Sequence, residues 1–303
     1  YKRNGYYYLL SAEGGTEYEH AVTLARSRNL LGPYEIHPQN PILTSSGKAD
    51  LKLQKAGHAS LVETEHGEWY MPHLCARPLP GTQKCNLGRE TAIQKVEWRN
   101  DDWLYLLNDG NNPIEHVVPP SLQPHTFKEL PKRLLFDSPH YAIPRGPSSS
   151  VQVHPEKLIL TGKQSLESNF EQAMLARRLI SHKLTATTKL SFEPESFQQM
   201  AGLAAYYNTY LFHYLYLSYD EEKGLCLQIH TCDDGVSSFP LGDQIIPVGE
   251  GKIYLRAIFN DCSLQFQFSE NGKDFLNAGN TLDASILSDD HGDHWGFTGT
   301  FVA

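Results

Sequence analysis

The chain has 303 residues, more than one domain usually holds, so two domains with separate cores are expected. It is 40% hydrophobic and 20% charged, without an apolar run near the roughly 20 residues that a membrane helix needs, which excludes a helical span. Its 26 Lys and Arg against 35 Asp and Glu leave a net charge of −9, which argues against a nucleic-acid backbone as partner and suits a neutral ligand such as a sugar.

Strand-like runs fill the first third of the chain, at residues 5–12, 21–27, 58–63, 69–75, 91–98 and 103–107, each bounded by Gly, Pro, Asn or Asp. Two portions look alike. NGYYYLLSA, HAVTLARSRN and GPYE in the first correspond to HGEWYMPHL, RETAIQKVEWRN and DWLYL in the second, as one unit written twice. A repeat of four antiparallel strands reads as a β-propeller blade, because a single sheet cannot bury its own faces and must stack on its neighbours. The first unit lacks its opening strand and Tyr1 falls in mid-pattern, so the chain is expected to be a fragment whose remaining blades precede Tyr1 or come from a partner chain.

Residues 111–150 change character to a proline-rich linker, where missing N–H groups block ladders and the chain is expected to wrap the propeller's surface. Period-2 alternation then resumes in LTATTKLSFEP, AGLAAYYNTYLFHYLYLSYDEE, LCLQIHTCDDG and IYLRAIFNDCSLQFQFSENG, as in a β-sandwich. The fold class is therefore all-β, with propeller blades over 1–110, the linker over 111–150 and a sandwich over 151–303. The cysteines Cys75, Cys85, Cys226, Cys232 and Cys262 are odd in number and form no CxxC, which favours a reducing, cytoplasmic location.

Several residues stand out chemically. Gly14 and Gly15 make a tight turn; no Lys-Ser/Thr follows them, so they do not read as a phosphate cradle. Glu13, Glu17 and Glu19 beside His20 are either acid/base groups or loop charges in water. His58 opens the predicted strand over 58–63, which in a propeller is the innermost and lines the channel. Arg89 begins a strand at the repeat position that His20 holds in the first unit, and either binds a ligand with its fork of donors or pairs with Glu90. The run DDHGDHWGFTGTF reads as a solvated loop tip around Asp289, Asp290 and Asp293, whose spacing is wrong for a calcium loop, while Trp295 and Phe297 are expected to dock into something.

Together NGYYYLLSAEGGTEYEHAVTLARS, GPYE, GHASLVE, LGRETAIQKVEW, FDSPHYAIPR, TKLSFEPE, AGLAAYYNT and GFTGTFV resemble the β-xylosidases of glycoside hydrolase family 43 through nearly the whole chain. The resemblance implies the last blades of a five-bladed propeller followed by a concanavalin-like sandwich. It implies inverting release of xylose from the non-reducing end of β-1,4-xylooligosaccharides, with some arabinofuranosidase activity. No catalytic carboxylate falls in the chain on this reading: the general acid belongs to a Glu-Gly-Pro-His motif just ahead of Tyr1, and the base and the pKa-tuning aspartate come from earlier blades.

Carried over residue by residue, the resemblance implies substrate contacts from His58, Arg89, Thr16 and Phe297, the last inserted by the sandwich into the mouth of the propeller site. His58 is also the position where some members hold a calcium ion and others a water; no cofactor is required. The implied partners are the oligosaccharide, the missing blades in cis or as a separate chain, and a second copy in a homo-oligomer. A carbohydrate-binding or assembly module without chemistry is the competing reading.

Overall fold

The computed structural model describes every residue except Asp109, Leu130, Pro147, His294 and Trp295. The chain forms two compact units, one of Tyr1–Pro78 with Arg89–Lys128 and one of Leu79–Gly88 with Glu129–Ala303.

In the first unit, strands β1 (Lys2–Arg3), β2 (Tyr6–Glu13), β3 (Ala21–Ser27) and β4 (Glu35–Ile36) run side by side in that order, with β5 (Leu43–Thr44) also on β3. The second sheet contains β6 (Gln54–Gly57), β7 (Val62–Glu63), β8 (Trp69–Ala76), β9 (Glu90–Trp98) and β10 (Leu104–Leu106), in the order β10-β9-β8-β6 with β7 also on β8. The succession β7 to β10 repeats β1 to β4, which is the duplication visible in the sequence.

Two details differ from the sequence reading. The opening strand expected to be absent from the first unit is present in part: Lys2–Arg3, paired to Tyr7 and Tyr6, corresponds to β7, while β6 has no counterpart in the first sheet among the described residues. Two charged residues carry no strand signal, and what pairs them is the Asn4-Gly5 turn, both of whose φ angles are positive (48° and 77°), as a two-residue hairpin requires. The strand expected over 58–63 is instead split into β6 and β7, because His58 has φ 51° and leaves the extended region just after β6.

Alternate residues of each strand face opposite sides, so the apolar face of one sheet must meet another. Tyr8, Val22, Leu24, Ile42 and Leu43 of the first sheet and its flanking loop accordingly share one core with Ala56, Met71, Val96, Trp103, Leu104 and Leu106 of the second. Polar groups follow the same stacking: Arg26 lies 3.9 Å over the Trp103 ring and donates to the Asp101 carbonyl at 2.6 Å. The first part of the proline-rich segment is pinned to this unit. Thr44 N donates to the Asn111 carbonyl at 2.8 Å, the Tyr70 hydroxyl to the Val118 carbonyl at 3.0 Å, and Ser121 N to Glu68 at 2.6 Å.

The second unit opens with the hairpin β11 (Val151–His154) and β12 (Lys157–Leu160), then β13 (Arg177–Arg178), β14 (Lys183–Ser191), β15 (Ala201–Asn208), β16 (Leu211–Asp220), β17 (Gly224–Asp233) and β18 (Val236–Ser238). After these come β19 (Ile246–Pro247), β20 (Lys252–Asn260), β21 (Ser263–Ser269), β22 (Leu276–Asn277), β23 (Leu282–Asp283) and β24 (Phe301–Val302). A seven-stranded sheet, β13-β24-β15-β16-β17-β18 with β19 on β17, pairs with a five-stranded one, β14-β20-β21-β22 with β23 on β21, to make a sandwich.

Leu255, Phe259, Phe266 and Phe268 of the smaller sheet pack with Leu211, Leu215, Leu227 and Ile229 of the larger in the main core. A further cluster of Met174, Ala204, Tyr206, Phe212 and Cys232 takes the other parity of β15 to β17, so these strands are buried on both faces and read as near-continuous apolar runs. At Gly202 a Cβ would lie 2.0 Å from the Leu215 carbonyl, so glycine is needed for β15 and β16 to approach. His213 is a core group: its Nε2–H donates to the Asp283 carbonyl at 3.0 Å while Nδ1 accepts from the Thr231 hydroxyl at 2.9 Å.

Phe266→Ala is expected to lower stability by about 3–5 kcal/mol through the cavity it leaves, measured by denaturant unfolding of the chain. Burial also penalises the charged form of His20, His37, His73, His213 and His230, holding each pKa below the usual imidazole value. The unfolded chain then binds more protons on acidification, so the stability they contribute is present above about pH 6.5 and lost as pH falls through the depressed values. Unfolding free energy is expected to decline by about 1.4 kcal/mol per pH unit for each net proton, read from melts between pH 7.5 and 5. A flat profile would place these imidazoles in water.

Candidate functional site

The loop between β2 and β3 turns at Gly14 and Gly15 (φ 73° and 67°), where a Cβ on Gly14 would sit 2.2 Å from the Glu19 carbonyl. This turn presents Thr16 and Glu17 to two cations of the second sheet. Arg89 donates through Nε and Nη2 to the Thr16 carbonyl, at 3.1 and 2.7 Å, and its Nη2 reaches Glu17 Oε1 at 3.2 Å. Lys55 Nζ lies 3.1 Å from the other oxygen, Glu17 Oε2, and 4.9 Å from the centre of the Tyr18 ring. The Lys55 and Arg89 side chains are 0% and 7% exposed, so both charges are desolvated and need these partners.

Beneath the same loop lies His20, 1% exposed. Its Nδ1–H donates to the Glu13 carbonyl at 2.9 Å, which fixes Nε2 as the unprotonated nitrogen, and Nε2 has no hydrogen-bond partner among the described residues. The His58 ring is 6.3 Å away. Burial is the main reason the His20 pKa is low; His58 and Arg89 push it further down, whereas the Glu13 bond and Glu17 oppose them. A Cβ on Gly57 would lie 2.2 Å from the His20 ring, so the glycine before His58 is what admits the imidazole. His73 completes the buried set, with Nδ1–H donating to the Leu74 carbonyl at 2.8 Å and Nε2 accepting from Gln94 at 3.3 Å.

Arg89 stands one residue ahead of β9 as His20 stands ahead of β3, so the repeat position holds, although the strand itself begins at Glu90. The pairing of Arg89 with Glu90 does not form. Neighbours on a strand face opposite sides, and Glu90 is held by Arg77 at 2.7 and 2.8 Å. Thr16 engages through its carbonyl. Glu17 is not a charge left in water but is bridged between Lys55 and Arg89, at 40% exposure. His58 is exposed and follows β6 in a left-handed conformation instead of opening a strand.

Phe297 belongs to the second unit, where it is 43% exposed and not one of the core side chains. Trp295 lies outside the described residues. The acidic run is not a solvated tip, since Cys85 N donates to Asp290 at 3.0 Å and His291 sits between Lys84 at 2.9 Å and Asp233 at 2.6 Å.

The sequence reading missed Lys55. Its signal is slight, a lysine three residues before His58 in a short strand of otherwise neutral residues. Among the described residues His58 and His20 offer imidazole nitrogen, whereas calcium takes six to eight oxygens.

Two stacked antiparallel blades in one unit, with a cluster of cations and imidazoles at the β2–β3 loop, and a two-sheet sandwich in the other define a protein of the propeller-and-sandwich class. The family model described as "Glycosyl hydrolases family 43" matches residues 1–104, and "Beta xylosidase C-terminal Concanavalin A-like domain" matches residues 137–303. The chain belongs to glycoside hydrolase family 43.

It is 43% identical to "Xylosidase/arabinosidase 43B" of Humicola insolens and 41% identical to "Beta-xylosidase" of Bacillus subtilis, with 100% of this chain and 58% and 60% of theirs covered. The crystal structure of "xylan beta-1,4-xylosidase from Bacillus Halodurans C-125" superposes with a TM-score of 0.95 at 45% identity, covering 100% of this chain and 60% of the other. The chain thus spans about 60% of the length of these relatives.

Gly57→Ala is expected to overpack the His20 pocket and lower stability by about 1–3 kcal/mol, read as a fall in melting temperature. A variant that melts like the parent would show that the ring has room to move.

Proposed function

We propose that this chain is part of an inverting glycoside hydrolase that releases xylose from the non-reducing end of β-1,4-xylooligosaccharides, with arabinofuranosidase side activity. Similarity to xylosidases along the entire chain, through both units, is the observation that carries this reading. Inversion needs one carboxylate to activate water and another to protonate the leaving oxygen. Glu17, the acid of the candidate cluster, has both oxygens engaged by cations and is badly placed for either task. The general acid, base and pKa-tuning carboxylate are therefore assigned to sequence outside this chain, in cis or on a separate chain.

Within the chain Arg89, His58, Thr16 and Phe297 are the proposed substrate contacts, with Arg89 as the charged donor to sugar hydroxyls. The reaction itself needs no cofactor. Five free thiols support a reducing, cytoplasmic location.

The test is hydrolysis of 4-nitrophenyl β-D-xyloside and α-L-arabinofuranoside by the chain alone and by the chain joined to the portion its relatives carry. The extended protein is expected to release α-xylose first, seen by NMR, and the 303-residue chain to show no turnover. Turnover by the chain alone would move the carboxylates inside it. In the extended protein Arg89→Ala is expected to cost about 1–4 kcal/mol in kcat/KM, and unchanged kinetics would remove Arg89 from the site.

A further inference from the structure

We propose, on the glycosidase reading above, that Lys55 is a positioning residue that acts on Arg89 through Glu17. Lys55 combines features that stability alone does not favour. It sits at the register shift between Gln54 and Gly57, where β6 bulges against β8, and its φ of 54° is one that side-chain-bearing residues rarely adopt. Its ammonium is fully buried, although an apolar residue at such a place is usually no less stable. Bulges re-aim side chains next to active sites, and this one aims Lys55 at the loop that holds Arg89.

The geometry gives the reason. A carboxylate beside a guanidinium tends to take two parallel N–H bonds from it. Here Lys55 lies on Oε2 of Glu17 while Oε1 meets Nη2 of Arg89, and the Nε–Nη2 edge stays on the Thr16 carbonyl. Without the ammonium Glu17 is free to form the two-bond fork, which turns the guanidinium off Thr16 and away from its working orientation. Lys55 thereby sets the direction of the Arg89 guanidinium through the carboxylate between them.

The experiment is a double-mutant cycle in the extended protein, with kcat and KM measured on 4-nitrophenyl β-D-xyloside. Lys55→Met is expected to lower kcat/KM by about tenfold or more when Arg89 is present, and by less than about twofold in the Arg89→Ala background. Lys55→Arg should restore most of the loss. Glu17→Gln cannot take the two-bond fork, so Lys55→Met is expected to cost less than about twofold in that background as well, and Lys55→Gln replaces Lys55→Met if that variant does not fold. Equal losses in both backgrounds would mean a merely structural role and overturn the proposal while leaving the glycosidase reading intact. An extended parent protein that hydrolyses neither aryl pentoside would overturn that reading and this proposal with it.

Discussion

One carboxylate shared by two buried cations holds the site of the first unit together. An ammonium taken out of water costs several kcal/mol unless a partner is fixed beside it, and Lys55 meets that demand with Glu17 Oε2. Arg89 meets it with Glu17 Oε1 and the Thr16 carbonyl. The β2–β3 loop of the first sheet is thus pinned to the innermost and third strands of the second. His20, fastened to the Glu13 carbonyl at the foot of that loop, keeps its place only because the loop does.

The rest of the architecture answers a different need, that of covering both faces of every sheet. In the first unit the two blades cover one another with a single core, from Tyr8 to Leu106. In the second, the five-stranded sheet alternates apolar and polar residues and buries one face only. The seven-stranded sheet is covered on both faces by two separate clusters. His213, enclosed there, is bonded at both ring nitrogens, whereas His20 Nε2 has no hydrogen-bond partner among the described residues.

Family membership and site geometry fit together in a particular way. The groups gathered at the cluster are hydrogen-bond donors and acceptors: a guanidinium, a backbone carbonyl, a neutral imidazole. None is a free acid and base pair of the kind that hydrolysis needs, and the chain covers 60% of the length of its xylosidase relatives. A bridging carboxylate whose oxygens are divided between Lys55 and Arg89 serves geometry better than proton transfer, which is the physical ground for assigning the carboxylates elsewhere and for giving Lys55 an orienting role.

The sequence by itself determined the all-β class, the duplicated blade, the sandwich and the family, since these are written in local patterns: apolar alternation, Asn-Gly and Gly-Gly turns, and motifs such as GHASLVE and LGRETAIQKVEW. It also placed Arg89 at the repeat position of His20, because the register of a repeat is a local property. The tertiary structure alone decided the partners. Glu90 going to Arg77, Glu17 being shared by Lys55 and Arg89, and Lys2–Arg3 serving as a strand depend on groups brought together from separate segments. The same holds for the left-handed backbone at Lys55 and His58, which nothing in their neighbours' side chains announces and which packing against the next strand imposes.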